Sequence, residues 1–212
     1  MRSRGWVDAA TVDEYLGRVG TLAPRLAGEA MVLEVLPAHV ERVADLGCGD
    51  GRLVTLVLDA RSSVREVVAL DRSPPMLARA RDRFAPDERV RVLDWDLADA
   101  LPDIGMFDAV VSGFAIHHLD DMRKRALFRE VRARLVAGGV FANLEVVASA
   151  TPELHAAFRA AVGREEDDPE DRLVDVETQL GWMRDAGLDQ VDCLWRWRGF
   201  ALLFGQAPVG PR

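Results

Sequence analysis

The chain predicts an α/β fold in which a mostly parallel sheet is covered on both faces by helices. Three observations carry this. Apolar runs with strand character alternate with helical patterns along most of the chain. The first such run leads directly into three alternating glycines, and the last two runs are joined so closely that they must pair antiparallel. With 212 residues, 49% of them apolar, the chain is long enough to bury a substantial core as a single structural domain.

Ahead of the first strand, residues 1–40 form a helical segment, in which Val12, Leu16 and Val19 mark one helix and Leu26, Ala30 and Leu33 another. The rest, 41–212, is the sheet domain. Its first strand, Val43 to Leu46, enters Gly47-Cys48-Gly49-Asp50-Gly51. Side chains at these glycines would hold a ligand off, so backbone N–H groups are expected to approach an anionic or polar cofactor at a helix N-terminus. The spacing is G-x-G-x-G: the dinucleotide fingerprint needs a third glycine where this chain has Arg52. Leu53, Leu56, Val57 and Ala60 follow on one helical face.

The second strand, Val67 to Leu70, ends at Asp71, twenty residues past Gly51. A carboxylate there suits a pair of ribose hydroxyls. Ser73 and Pro74 read as an N-cap and a first-turn proline, starting a helix with Leu77, Ala80 and Phe84 on its buried face. Val90 to Trp95 is the third strand and Ala109 to Ser112 the fourth. His117 and His118 then fall at the carboxyl edge of the sheet, where open α/β folds bind ligands. A helix with Leu127, Val131 and Leu135 precedes the fifth strand, Val140 to Val147, which carries Glu145.

Residues 151–174 are an insertion. Thr151-Pro152-Glu153 opens a helix with His155, Phe158, Arg159 and Val162, and Arg164 to Asp171 is an acidic run read as a solvated, mobile loop. The run lacks the periodicity of a calcium loop, so no metal is expected. After a helix with Val176, Leu180 and Met183, Val191 to Trp197 alternates, Arg198-Gly199 turns, and Phe200 to Phe204 returns. Trp195 and Trp197 read as sheet core, with a homodimer interface as the alternative.

Composition narrows the function classes. No apolar stretch approaches the ~20 residues of a membrane span, and the first residues lack a signal-peptide core, so a cytoplasmic protein with no membrane partner is expected. Cys48 and Cys193 form no disulfide framework. A net charge of -8 disfavours nucleic acid as a partner.

The ordered segments Asp45 to Gly51, Leu70 to Pro74, Asp94 to Leu97, Phe107 to Ser112 with Ile116 to Leu119, and Leu135 to Val140 resemble the class I S-adenosylmethionine-dependent methyltransferases. The resemblance implies a Rossmann-like three-layer sandwich, a seven-stranded sheet with an antiparallel last strand, and an N-terminal helical lid. It implies S-adenosylmethionine as cofactor and S-adenosylhomocysteine as product. Asp45, Gly47, Cys48, Gly49 and Gly51 would hold the methionine part, Asp71 the ribose hydroxyls, and Asp96 with Leu97 the adenine, with Arg72 and Met76 also at the cofactor. Ser112 joins this set from the fourth strand. In the lid, Tyr15 and Arg18, with Arg25, either face the cofactor or sit solvated on a packed helix.

Methyl transfer to a small molecule, at O, N or C, is the leading expectation, with His117, His118 and Glu145 as candidate general bases. Ser112-Gly113-Phe114-Ala115 differs from the Asn-Pro-Pro-aromatic type that holds a flipped base. The alternatives keep the fold but act on tRNA or protein, or modify the cofactor as in carboxy-S-adenosylmethionine synthases, with Arg18, Arg25 or Arg159 facing the extra carboxylate. A nicotinamide-dependent oxidoreductase and a silent binding module rank lower.

Overall fold

Seven strands form one sheet in the order β3-β2-β1-β4-β5-β7-β6. They are β1 (Arg42–Leu46), β2 (Glu66–Asp71), β3 (Val90–Asp94), β4 (Phe107–Gly113), β5 (Leu135–Val146), β6 (Asp189–Trp197) and β7 (Phe200–Gln206). The structure is a computed structural model that describes residues 8–210; the side chains of Tyr15, Arg18 and Val19 lie outside the described residues. The first five strands pair in parallel, with Asp45 level with Ala69 and Val111. As expected, the last strand is reversed: β7 runs antiparallel to both β5 and β6, between which it lies.

Helices α1 (Ala9–Val19), α2 (Ala23–Val35), α3 (Arg52–Ala60), α4 (Pro74–Phe84), α5 (Asp121–Arg134), α6 (Pro152–Ala161) and α7 (Val176–Asp185) surround the sheet. Alternate strand residues face two separate cores. Ala44, Leu46, Val68, Leu70 and Phe141 meet Leu127, Phe128 and Val131 of α5 and Leu180 and Met183 of α7. Val43, Val67, Ala69, Ala109 and Leu144 meet Val32 of α2 and Leu53, Val54 and Val57 of α3. Burial on both faces is why the central strands read as near-continuous apolar runs.

Caps set where the helices begin. Ser73 accepts a hydrogen bond from the Met76 N–H, Asp120 from Arg123, Thr151 from Leu154 and Asp175 from Thr178. Each such cap stabilises by about 1 kcal/mol. The hairpin turn holds Arg198 at φ 52, which closes β6 onto β7 in two residues.

One face differs from the sequence expectation. Helix α2 does not bury Leu26 and Ala30, while Leu33 is partly buried against the core: Leu26 is 41% exposed, and the helix packs mainly through Gly28, Glu29 and Val32. A side chain at position 28 would meet Leu144 at 2.7 Å and the Trp195 ring at 3.0 Å, so glycine lets the helix settle onto β5 and β6. Trp195 and Trp197 are partly buried, and Trp197 meets Phe158 and Phe200 at ring distances of 6.5 and 5.9 Å. Among the described residues, no helix is long and apolar enough to cross a membrane.

Candidate functional site

A cleft opens at the carboxyl ends of β1 to β4, where the chain crosses from β1 outward to β2 and later back to β4. Gly47, Gly49 and Gly51 all have positive φ, of 75, 55 and 83°. The loop spends its N–H groups differently from the expectation. Gly47 and Cys48 donate to the Leu70 carbonyl at 2.8 and 2.9 Å, Gly49 to Asp71 Oδ2 at 2.8 Å, and Gly51 to the Cys48 carbonyl at 2.9 Å. These bonds lash the loop to the tip of β2. Gly51 does not line the cleft; a Cβ there would lie 2.3 Å from the Phe84 ring, so the glycine seats α3 against α4.

Three carboxylates follow one another along this edge. Asp45, on β1, is 1% exposed, faces the cleft, and neither of its oxygens has a hydrogen-bond partner among the described residues. Burial, with the charges of Asp71 and Asp50, pushes it up to about 8. Asp71, at the end of β2, is fixed by N–H groups of Gly49 and Ser73, each at 2.8 Å. Burial raises its pKa against the pull of these bonds. Asp96, two residues past β3, accepts from Ala98 at 3.0 Å and from Arg72 at 3.3 Å. Cys48, Arg72, Met76 and Leu97 complete this part of the lining. Burial keeps the Cys48 thiol protonated.

Ser112 sits elsewhere: it is fully buried and donates to the Leu46 carbonyl at 2.7 Å, tying β4 to β1 below the cleft. Tyr15 and Arg18 lie outside the described side chains, while their neighbour Leu16 lines the cleft. Arg25 reaches the cleft, bonds Glu29 at 3.0 Å and stacks 4.9 Å over Phe114. Glu29 also takes Arg52 through bonds of 2.9 and 2.8 Å, so the residue in place of the third glycine joins α3 to the lid. Sequence reasoning missed Glu29; its i,i+4 spacing from Arg25 was the available signal. It also missed Phe114, whose φ of 56 turns the ring into the cleft beyond β4. A non-glycine residue held there costs on the order of 1–3 kcal/mol.

Of the three candidate bases, His118 reaches the cleft and the other two lie behind it. His117 and Glu145 are 5% and 0% exposed, with Nδ1 2.5 Å from Oε1. Burial alone would lower the His117 pKa, but Glu145 and Asp171 together raise it to about 9. Burial and the His117 charge push His118 down to about 3. Asp171 itself corrects the reading of 164–171 as a solvated loop. Residues Glu165, Glu166 and Asp167 are exposed, but the Asp171 side chain is 6% exposed and turns inward to the histidines. Lys124, the single lysine of the chain, is 1% exposed and donates to the Arg172 carbonyl, which fastens this strap. Arg159 pairs with Asp167 at 3.6 Å, outside the cleft.

Comparison with known proteins agrees with this geometry. The family described as "Methyltransferase domain" matches residues 43–139. An uncharacterised methyltransferase of Mycobacterium tuberculosis is 40% identical over 127 residues, 59% of this chain and 59% of that protein. A malonyl-[acyl-carrier protein] O-methyltransferase of Enterobacter lignolyticus is 34% identical over 137 residues, 64% of this chain and 51% of the relative. The chain thus spans between half and three fifths of the length of these relatives. Among solved structures, the S-adenosylmethionine-dependent methyltransferase SibL in its apo form superposes with a TM-score of 0.72 at 23% identity, over 94% of this chain and 62% of that one. PigF with SAH gives 0.70 at 20%, over 95% and 60%. These two likenesses concern the fold.

Proposed function

We propose that the chain, whose residues 43–139 match a methyltransferase domain and whose fold is like that of an S-adenosylmethionine-dependent methyltransferase, transfers a methyl group from S-adenosylmethionine to an O, N or C nucleophile of a small molecule. One observation carries the reading: the ends of β1, β2 and β3 present Asp45, Asp71 and Asp96 in sequence along a single cleft. An extended ligand with an ammonium, a ribose diol and an aminopurine meets the three acids in turn. Asp45 is the sharpest part of the fit, since a buried carboxyl without partners costs free energy that an incoming ammonium offsets. Asp71, its oxygens aimed by two N–H groups, takes the ribose hydroxyls, and Asp96 the adenine edge.

The bound cofactor supplies a methyl group already activated by its sulfonium charge. The chain has then to align the acceptor and exclude water, and alignment alone supplies several kcal/mol of barrier reduction. Phe114 and the Arg25–Glu29–Arg52 group close the cleft on the lid side. His117, charged and behind the wall, and His118, neutral at pH 7, are assigned to shaping that wall; the weight of catalysis falls on alignment.

Chemistry on the cofactor itself is disfavoured because Arg25 and Arg52 both engage Glu29 rather than facing an extra cofactor carboxylate. A relative named for magnesium-protoporphyrin O-methylation fits a small acceptor, while one named for malonyl-[acyl-carrier protein] fits equally an acceptor carried on a protein. The test is parallel calorimetric titration with S-adenosylmethionine, S-adenosylhomocysteine and NAD. Micromolar binding of the two sulfur compounds and none of NAD is expected; NAD binding alone would overturn the assignment.

A further inference from the structure

Beside the cleft, three donor atoms from two distant parts of the chain converge: His117 Nε2 and His118 Nδ1 from one, Asp171 Oδ1 from the other. They lie within 4.8 Å of one another. Asp171 Oδ1 is buried, 3.4 Å from His117 Nε2 and 3.6 Å from His118 Nδ1, and makes no hydrogen bond among the described residues. Both distances exceed the 2.7–3.2 Å range of a sound N–H···O bond, roughly speaking. These two are close to the edge of a coordination tetrahedron, since metal–ligand bonds of about 2.0–2.1 Å at tetrahedral angles put donors about 3.4 Å apart; the two histidine nitrogens lie within 4.8 Å of each other and would close in on a bound ion.

The surroundings suit such a centre. A ligating histidine ordinarily gives its other ring N–H to a carboxylate or carbonyl, which sets the tautomer and turns the remaining nitrogen inward. His117 Nδ1 lies 2.5 Å from Glu145 Oε1 and Nε2 faces Asp171; an ion bound there displaces the Nε2 proton that the metal-free imidazolium carries. The Glu170 backbone bonds the His118 ring. Arg164 holds the second Asp171 oxygen at 3.5 Å, and the Arg172 N–H donates to the His117 carbonyl at 2.9 Å, so the strap carrying Asp171 is anchored on both sides.

We propose that His117, His118 and Asp171 bind one divalent transition-metal ion, zinc in the first instance. Two imidazoles and one carboxylate select first-row transition metals over magnesium or calcium, which prefer oxygen donors. Three protein ligands leave one position for water or an acceptor atom, and His118 places that position at the wall of the cleft. The inference needs only these donors and stands independently of methyl transfer.

The experiment uses the full chain stripped with EDTA. Zinc is titrated by calorimetry, and cobalt(II) by visible absorption, which reports imidazole ligation in the wild-type protein without any variant. One ion per chain is expected, with zinc affinity at least about tenfold weaker in Asp171→Asn and in His118→Gln, and unchanged in Glu166→Gln on the exposed part of the loop. Equal binding by wild type and both variants overturns the site, as does a cobalt spectrum of oxygen ligation alone or the absence of zinc binding; the three groups are then an ion-pair network only. S-adenosylhomocysteine titrated into the metal-free protein reads the cofactor assignment separately, so a chain that binds it but no zinc defeats this inference alone.

Discussion

On β1 Asp45 is buried with neither oxygen hydrogen-bonded, whereas on β5, two strands away, the equally buried Glu145 holds His117 at 2.5 Å and accepts the Val146 N–H at 2.8 Å. The same contrast runs through their surroundings. At the cofactor end of the cleft, burial and the nearby charges of Asp71 and Asp50 together raise the Asp45 pKa. The wall behind His118 alternates signs: Glu145, His117, Asp171, Arg164. The Glu145–His117 pair is settled within the chain and belongs to the fold; Asp45, like Asp171 Oδ1 further along the wall, has no hydrogen bond among the described residues and is available to a ligand. Lesions on the two sides should therefore differ in kind.

The largest effect is expected on the settled side. Glu145→Ala strips a buried, charged histidine of its main partner, which costs about 3–5 kcal/mol. In a domain of this size each kcal/mol moves Tm by about 2–4 °C, so thermal unfolding in EDTA should begin at least about 6 °C lower. Wild-type stability in that variant would show that the His117–Glu145 pair contributes nothing to the fold.

Asp45→Asn should behave oppositely. It removes a carboxyl that folding buries without partners, so the cofactor-free protein should keep or gain stability. The sign follows from linkage: the folded pKa of about 8 lies above the unfolded value, so the native state binds the extra proton between about pH 4 and 8 and wild-type stability falls across that window. The variant lacks this decline. Its loss appears in binding, where an unpartnered ammonium costs about 3 kcal/mol, on the order of a hundredfold in Kd. A destabilised variant that still binds S-adenosylhomocysteine normally would erase the distinction drawn here.

Asp71→Asn comes next. Its one oxygen can accept from only one of the Gly49 and Ser73 N–H groups, which bond separate oxygens of Asp71, and it weakens the charge-assisted bonds to a diol, about 1.5–3 kcal/mol. Calorimetry should show a tenfold or greater loss of affinity for S-adenosylhomocysteine with a much smaller loss for methionine-side fragments, which do not reach β2. Equal losses for both would place Asp71 in support of the loop rather than at the ribose.

The two regions also differed in how far they could be read before the coordinates. The cofactor end is written locally: the glycines must take positive φ beside β2, and Asp71, Ser73 and Pro74 sit within four residues, so spacing alone located them. The Ser73 cap and the reversed hairpin at Arg198 are equally local. The wall is assembled across distance. Asp171 lies more than fifty residues from His117, inside a run in which Glu165, Glu166 and Asp167 are exposed, and nothing in its neighbours distinguishes it. The buried face of α2 was hidden for a related reason: Glu29 counts as polar in any periodicity, and only Arg25 and Arg52 together make its burial tolerable.

The smallest effect is the most specific to Asp45. At pH 7 a carboxyl titrating at about 8 is mostly protonated, while a free α-amino group, titrating near 8, is mostly charged. Docking the ammonium on the carboxylate therefore expels close to one proton, at a cost of about 1.4 kcal/mol relative to a carboxyl already ionised. At pH 9 both groups have lost their protons and the same pair can form only by taking one up. Calorimetry with S-adenosylhomocysteine in two buffers of different ionisation enthalpy should accordingly show proton release at pH 7, a null point near 8 and uptake at 9, with affinity greatest between. In Asp45→Asn the release at pH 7 should vanish. Wild-type binding with no proton exchange at any of these values would mean that the ammonium is met by some other group, and that Asp45 serves the loop alone.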